Sequence, residues 1–232
     1  KTLIAIATLR KVDGGLLKMN DLIPINQVNA ARECADWGCS VYGPGKKVSI
    51  EKLIFDMISV SNNLATNQLI DVTGREYINE TADLLEAPSL RVHRKMYNIQ
   101  DPEPGVTRRN TASAQGLNQL YREISTGRLK VLEEKSRLHL IDVFKKQVYH
   151  DGFNALFPKE LFYFHKPGAT SKSLSDGGFF YWPGNDRVIV LLSGIEGFTS
   201  YQRCESCPVE SGLKAFQTLG KKALQAIQSA AP

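Results

Sequence analysis

Three small polar residues in a row, Ser61, Asn62 and Asn63, interrupt an apolar stretch that reads MISVSNNLATNQLID over residues 57–71. Hydroxyl and amide side chains can cap a helix by accepting hydrogen bonds from its first backbone N–H groups. The same groups can relay a proton or bind a substrate amide when they point into a cleft. This stretch alone leaves both interpretations open.

The elements that would position these residues change character along the chain. Helical apolar patterns cover residues 2–13, 49–59, 64–71, 113–124, 131–147 and 210–228. Strand patterns rich in aromatic and β-branched residues cover 160–169, 177–182 and 187–195, with a tight turn at 183–186. Segments 16–48 and 86–110 are rich in proline and glycine and are predicted to be loops.

This order predicts an α+β fold, with a helical lobe against an antiparallel sheet that is flanked by helices. We expect one interleaved catalytic domain, mainly helical over residues 1–150 and mainly sheet plus a closing helix over 151–232. The predicted inward side chains of the late helices are Leu138, Ile141 and Phe144, then Leu213, Phe216, Leu219, Leu224 and Ile227.

Composition excludes some classes of function. The 232 residues carry a formal net charge of +5, which suits a small anionic partner. The basic residues are scattered and do not interleave with aromatics, so no nucleic-acid interface is expected. The apolar run LIAIATL ends at Arg10, far short of the roughly 20 residues of a membrane span. We expect this run to be neither a membrane span nor part of a signal peptide, and the oligomeric state stays open.

Four cysteines form two local pairs, Cys34 with Cys39 and Cys204 with Cys207. They can form disulfides in an oxidising compartment, which we favour, or a four-thiolate zinc site. The histidines at 93, 139, 150 and 165 show no metal-ligand spacing and are interpreted as structural, with His165 a possible neighbour of the cleft. Neither a cofactor nor a metal is expected in catalysis.

Three features follow one another along the chain: Lys1 at the start of a buried helix, Ser61-x-Asn63, and Lys166-x-Gly168 at the end of a strand. In this order the sequence resembles the class A β-lactamases and related penicillin-binding serine hydrolases, whose signature is S-x-x-K, S-D-N and K-T-G. The resemblance extends over nearly the whole chain. It implies acyl-enzyme chemistry on an amide or lactam bond, in a periplasmic or extracellular protein.

The resemblance also implies roles for individual residues. Lys1 would be the base, or part of the proton relay, that activates a nucleophilic serine. Ser61 would pass a proton to the leaving nitrogen, and Asn63 would bind the side-chain amide of the substrate. Lys166 would favour the anionic or proton-shuttling state of Ser61.

Further residues would contact the substrate. Within HKPGA, Gly168 and Ala169 would line the site, and the Ala169 N–H would form half of an oxyanion hole. Trp37 or Tyr42 would stack on the substrate at the rim of the cleft, although packing in the core explains either aromatic equally well.

The chain departs from the family pattern in ways that bear on substrate. Asn62 replaces an aspartate, so this position holds backbone groups without bringing charge. Pro167 replaces a hydroxyl residue that binds the substrate carboxylate, and it has neither a hydroxyl nor an N–H. The following region, SLSDGGFF, carries Asp176 where an arginine often stands, with Ser171 or Lys172 as possible replacements.

Two further departures bear on turnover. The deacylating glutamate of class A enzymes has no clear match in the loop at 86–110, where Glu103 is a candidate and Asp101 a weaker one. The family nucleophile lies three residues before the lysine that Lys1 matches, and the family also places an N-terminal helix and two sheet strands upstream of it. We therefore expect the 232 residues to be part of a longer polypeptide that carries this serine and the first strands. The hypotheses are a β-lactam hydrolase, a D-Ala-D-Ala peptidase that binds penicillin and acts on peptidoglycan, and a catalytically impaired binding module.

Overall fold

The structure is a computed structural model. The residues that it describes are 1–30, 42, 45–96, 105–170, 173–184, 187–197 and 212–230. The chain divides into two units, residues 1–147 and 148–232, and each is described by itself. The mixture of helices and antiparallel sheets confirms the predicted α+β class.

The first unit is mainly helical in its described residues. Its helices are α1 (Thr2–Asp13), α2 (Ile50–Ser59), α3 (Asn63–Thr73), α4 (Arg75–Leu84), α5 (Ala114–Thr126) and α6 (Glu134–Phe144). A two-stranded antiparallel sheet pairs β1 (Leu22–Pro24) with β2 (Lys47–Ser49), and a short 3-10 helix spans Gln27–Asn29.

Helix α1 lies in the centre of the first unit, as its apolar sequence predicts. Every residue from Thr2 to Leu9 is buried, and the helix packs against α3 and α4. The hydroxyl of Thr8 is satisfied, because Oγ1 donates to the Ile4 carbonyl at 2.8 Å and lies 2.8 Å from Thr73 Oγ1. This burial fixes the start of the helix, where Lys1 stands.

Helix α2 confirms the predicted cap and the predicted apolar face. The Ser49 hydroxyl accepts a hydrogen bond from the Lys52 N–H at 3.2 Å, which satisfies one of the first backbone donors. The predicted inward residues Leu53, Ile54, Met57 and Ile58 are all fully buried. The helix ends at Ser59, whose hydroxyl donates to the Val143 carbonyl at 3.1 Å and so ties α2 to α6.

The second unit consists of three antiparallel strands and one helix among its described residues. The strands are β3 (Phe164–Ala169), β4 (Ser173–Tyr181) and β5 (Val188–Glu196), in the order β3-β4-β5. Helix α7 (Gly212–Ala230) packs against β4 and β5. The core between them is built from Phe153, Tyr163, Leu174, Phe180, Phe216 and Leu224.

Two predicted inward residues are wrong. Leu138 is 47% exposed and Leu219 is 38% exposed. Leu138 lies two residues before the fully buried Leu140, and this spacing places it about 160° around the helix, on the opposite face. Leu219 lies at the edge of the apolar face of α7 that Phe216 and Leu224 define.

The sequence analysis missed β1, β2, the 3-10 helix and α4, and it misjudged three lengths. Strand β3 begins at Phe164 rather than at 160, and β4 begins at Ser173 rather than at 177. Strands β1 and β2 have three residues each, too few to show alternation inside the segment predicted as loop. Helix α4 was missed because only Ile78, Thr81 and Ala82 are buried, a narrow stripe. Helix α6 is shorter than the predicted 131–147. In the part of the chain that the structure describes, no helix has both the length and the apolarity needed to cross a bilayer.

Candidate active site

The polar triplet forms the connection between α2 and α3. Ser61 has a φ of +57°, a left-handed conformation that is uncommon for a residue other than glycine. The Asn62 N–H donates to the Asp56 carbonyl at 2.9 Å. Its side chain is buried and caps α3, because Oδ1 accepts from the Ala65 N–H at 2.9 Å. The capping interpretation is therefore correct for Asn62.

Ser61 and Asn63 have a different environment, because both contact Lys1. The Lys1 Nζ donates to Asn63 Oδ1 at 2.6 Å, to the Ser61 carbonyl at 2.6 Å and to Ser61 Oγ at 3.0 Å. We call these three residues the Lys1 cluster. Two residues that stand 60 and 62 positions from Lys1 are thus brought together by the turn between α2 and α3 and by the buried start of α1.

The Lys1 cluster has the geometry needed to move a proton. A side chain can act in general acid–base chemistry when it lies within about 2.6–3.2 Å of the atom that exchanges the proton. The distance of 3.0 Å between Lys1 Nζ and Ser61 Oγ meets this condition. Asn63 and the Ser61 carbonyl hold Nζ from two further directions, which fixes the position of Nζ beside Ser61.

A buried carboxylate lies next to this turn. Asp56 is 4% exposed, and its Oδ1 accepts from the Lys52 Nζ at 2.5 Å. Its Oδ2 is buried and has no hydrogen-bond partner among the described residues. Burial raises the pKa of Asp56 to about 6, since removal from water disfavours the charged form of a carboxyl group.

In the second unit, Lys166 lies in β3 and is followed by Pro167, Gly168 and Ala169 at the end of the strand. Its Nζ donates to the Pro167 carbonyl at 2.8 Å. Burial lowers the pKa of Lys166 to about 8, while the negative charge of Asp176 opposes this shift. Gly168 and Ala169 are exposed and stand opposite Ser175 and Leu174 in β4.

Asp176 has a role that the sequence did not reveal. It stands opposite Pro167 in the register of β3 and β4, and its carboxylate is fully buried. Nδ1 of His165 donates to both carboxylate oxygens, at 2.9 and 3.0 Å. The sequence analysis treated Asp176 only as the absence of an arginine, and no local pattern pointed to its contact with His165.

The start of the irregular loop is anchored in the first unit. The Asn67 side chain makes two hydrogen bonds to the backbone of Met96. Its Oδ1 accepts from the Met96 N–H at 2.6 Å, and its Nδ2 donates to the Met96 carbonyl at 3.0 Å. Asn110 binds the N–H groups of His93 and Arg94 at 2.7 and 2.9 Å. Of the three acidic residues in the segment 86–110, the structure describes Glu86, which is exposed and accepts from Arg128 at 2.9 Å.

Several predicted residues lie outside the described residues. They are Trp37, Asp101, Glu103, Ser171, Lys172 and the four cysteines at 34, 39, 204 and 207. Tyr42 is described and is 4% exposed, which leaves its ring in the core rather than at a rim. Among the residues described, no group of three or more His, Cys, Asp or Glu side chains is arranged to hold a metal ion.

The fold and the two lysine-bearing motifs define a protein of the β-lactamase and transpeptidase class. The chain belongs to the β-lactamase enzyme family, whose family model matches residues 1–227. This match confirms the resemblance drawn from the motifs. A search of curated proteins gives no match.

Solved structures show the same fold at low sequence identity. The acyl-enzyme complex of a PBP-A point mutant with penicillin G is 20% identical, with a TM-score of 0.79 over 98% of this chain and 79% of that one. A β-lactamase from Sphaerobacter thermophilus DSM 20745 is 22% identical, with a TM-score of 0.80 over 97% and 80%. The TLA-3 extended-spectrum β-lactamase is 14% identical, with a TM-score of 0.78 over 97% and 82%.

Proposed function

We propose that the polypeptide containing this chain is a serine acyl hydrolase that opens the amide bond of a β-lactam, or of a related peptidoglycan peptide, through an acyl-enzyme. The observation that carries the proposal is the Lys1 cluster, in which Nζ lies 3.0 Å from Ser61 Oγ and 2.6 Å from Asn63 Oδ1. Membership of the β-lactamase enzyme family supports it. The proposal includes a periplasmic or extracellular location, where such substrates occur.

In the acylation step, a nucleophilic serine three residues before Lys1 attacks the carbonyl carbon. Its hydroxyl proton passes to the neutral amine of Lys1 as the new C–O bond forms. The C–N bond then breaks, and the leaving nitrogen takes the hydroxyl proton of Ser61. Ser61 recovers a proton from Lys1 across the 3.0 Å contact, so the relay returns to its starting state and protons balance.

Asn63 and Lys166 support this step in the proposal. Asn63 holds Lys1 through Oδ1 and presents its amide N–H₂ as a donor that can bind a substrate carbonyl. The family resemblance assigns Lys166 the task of favouring the anionic state of Ser61. That task requires the ammonium form of Lys166, and its pKa of about 8 leaves this form predominant at pH 7.

We further propose that the acyl-enzyme is long-lived. Hydrolysis of the ester needs a base that activates water, and the deacylating glutamate of the class A enzymes has no clear match in the segment 86–110 of this sequence. This observation favours the second candidate function, a penicillin-binding D-Ala-D-Ala peptidase. β-Lactams would acylate such an enzyme, and the acyl-enzyme would hydrolyse slowly.

The proposal is tested by following the loss of benzylpenicillin at several concentrations of the whole natural polypeptide. We expect a burst of one equivalent per active site and then slow turnover, because accumulation of an acyl-enzyme gives a burst. Fast turnover without a burst would identify a true β-lactamase with a deacylating base elsewhere. No loss of the lactam and no covalent adduct would overturn the hydrolase proposal and favour a binding module.

A further inference from the structure

The imidazole of His165 is held in one orientation by buried neighbours. Both this ring and the Asp176 carboxylate are 0% exposed, and Nδ1 of His165 donates to the two carboxylate oxygens at 2.9 and 3.0 Å. The Tyr163 ring stacks on the imidazole, with centroids 4.9 Å apart and planes at 20°. Because Nδ1 carries the proton, the lone pair of the neutral ring is on Nε2.

The register of the sheet makes room for His165. Gly178 stands opposite it in the pairing of β3 and β4. A Cβ at Gly178 would overlap the Phe164 carbonyl oxygen and would lie 2.7 Å from His165 Cβ, so glycine is required here unless β3 shifts. His165 and Lys166 are successive residues of one strand, so their side chains lie on opposite faces of the sheet. The imidazole is therefore separate from the acylation chemistry assigned to Lys166.

A second imidazole meets Nε2 of His165. Nδ1 of the exposed His150 lies 3.4 Å from this nitrogen, with the ring centroids 5.4 Å apart and the planes at 45°. This distance is longer than that of an ordinary hydrogen bond from an N–H group, about 2.7–3.2 Å. It matches two nitrogens that share one zinc ion, since Zn–N bonds of about 2.0–2.1 Å at a tetrahedral angle place the nitrogens about 3.3–3.4 Å apart.

An amide group lies beside the two rings. Asn154 Nδ2 is 3.4 Å from Nδ1 of His150, and Asn154 Oδ1 is buried without a hydrogen-bond partner among the described residues. A half turn about the Cβ–Cγ bond exchanges the two amide atoms and places the oxygen beside the ring, where it can bind a cation. Two imidazoles and one amide thus converge, although no third His, Cys, Asp or Glu of the described residues joins them as a ligand.

The segment 150–154, which carries two of these groups, is fixed on helix α7. Gln217 of this helix donates from Nε2 to the Asp151 carbonyl at 2.8 Å, and Phe153 is 2% exposed. Gly220 allows the close approach, because a Cβ there would overlap the Phe153 carbonyl oxygen. The two side chains on this segment are therefore positioned before a ligand binds, which reduces the cost of assembling a site.

We propose that His150 and His165 bind one zinc ion, or a similar divalent transition-metal ion, through Nδ1 and Nε2 respectively. Asn154 Oδ1 is the third ligand and water the fourth, which is the ligand count of an open zinc site. Asp176 orients His165 and raises the basicity of Nε2, as a carboxylate does for many zinc-bound histidines. The ion joins the segment 150–154 to β3 and so stabilises the folded second unit. This inference does not depend on the proposed acyl-transfer function.

The direct test is a zinc titration of the whole natural polypeptide, followed by long-range ¹H–¹⁵N NMR of the histidine rings. The signals of two histidines are assigned with His150→Gln and His93→Gln, and that of His165 by the slow exchange of its buried Nδ1 proton. One equivalent of zinc should shift Nδ1 of His150 and Nε2 of His165 and leave His93 unchanged. Zinc bound by the cysteine thiolates would leave these ring signals unchanged. Mg²⁺, which prefers oxygen ligands, is the control ion and should shift none of them.

Variants test the ligands one at a time, with the Nε2 signal of His165 as the measure of binding. His150→Gln changes an exposed side chain and should abolish the shift of His165, whereas the matched control His93→Gln should bind zinc as the wild type does. Asp176→Asn keeps the shape and an oxygen that accepts from His165, and it should weaken zinc binding about 10–100-fold. If this variant does not fold, Asn154→Ala replaces it and should also weaken binding.

The outcomes are distinct from those of the proposed function. Unchanged ring signals of His150 and His165 with zinc in excess would overturn the inference, as would equal zinc affinity in wild type and His150→Gln. A shift of His150 alone would also overturn it, because it shows zinc on an exposed side chain rather than between two rings. Absence of penicillin acylation in the wild type would refute the hydrolase proposal and leave the zinc result intact.

Discussion

The two lysines that the motifs single out have contrasting surroundings. Lys1 is held by three neutral oxygens, from Ser61 and Asn63, and none of these three contacts brings a negative charge. For Lys166, burial lowers the pKa to about 8, and the negative charge of Asp176 counteracts part of this lowering. In the proposed mechanism, Lys1 is the proton acceptor and Lys166 is the lasting positive charge.

Replacement of Lys1 should have the largest effect. Lys1→Arg keeps the positive charge and the donors, but a guanidinium does not lose its proton near neutral pH. We expect acylation by a fluorescent penicillin to slow by about 10²–10⁴-fold, the usual contribution of a general base. Lys11→Arg, in the same helix, is the control. An unchanged rate in Lys1→Arg would show that both lysines act only as charges and would remove the contrast.

The effect of pH on Lys166 should be the next largest. Since its pKa is about 8, the ammonium is lost as pH rises through that value, and acylation should fall about tenfold per pH unit above it. Lys166→Arg should move this fall to higher pH, because arginine stays charged. Stopped-flow acylation rates between about pH 6 and 10 span this transition and provide the measurement. An alkaline fall at the same pH in wild type and Lys166→Arg would assign it to another group.

Ser61 offers a way to separate chemistry from stability inside the Lys1 cluster. Its φ of +57° costs a non-glycine residue about 1–2 kcal/mol. Ser61→Gly should therefore be about 1 kcal/mol more stable than Ser61→Ala in urea unfolding, while both lose the hydroxyl and acylate slowly. Equal stabilities would show that the turn is not strained, and normal acylation in both would exclude Ser61 from the relay.

Asp56 provides the smallest predicted effect, on stability. Its folded pKa of about 6 lies above the ordinary value of 3.8, so the folded state binds the proton more tightly. The contribution of Asp56 to stability is thus greatest at low pH and declines as pH rises from about 4 to 6, by roughly 1–3 kcal/mol. Asp56→Asn should be more stable than wild type at about pH 7 and equal to it near pH 4. The control is Asp142→Asn, the same substitution at an exposed aspartate. A difference in unfolding stability between Asp56→Asn and wild type that does not change with pH would contradict the assignment.

The sequence predicted the parts of the fold that have strong local signals. The apolar run of α1, the Ser49 cap and the apolar face of α2 all lie where periodicity placed them. The order of the motifs also led us to assign Lys1, Ser61 and Asn63 to one predicted site. It could not predict β1 and β2, because three-residue strands depend on each other for their hydrogen bonds. Leu138 was placed wrongly because an apolar residue does not by itself report which face it occupies.

The pair of His165 and Asp176 shows a second limit of sequence reasoning. The two residues are 11 positions apart, and their contact depends on the register of two strands. A slip of one residue would turn one side chain to the other face of the sheet. Local patterns do not specify such a register, so the contact between His165 and Asp176 became visible only in the structure.

The central claim is that the Lys1 cluster serves a serine that forms an acyl-enzyme. The most direct test is intact mass spectrometry of the whole natural polypeptide before and after benzylpenicillin, followed by peptide mapping of the modified residue. The account predicts one penicilloyl group per chain, attached to a serine three residues before Lys1. A chain that gains no mass, or that carries the group on another residue, would contradict the account.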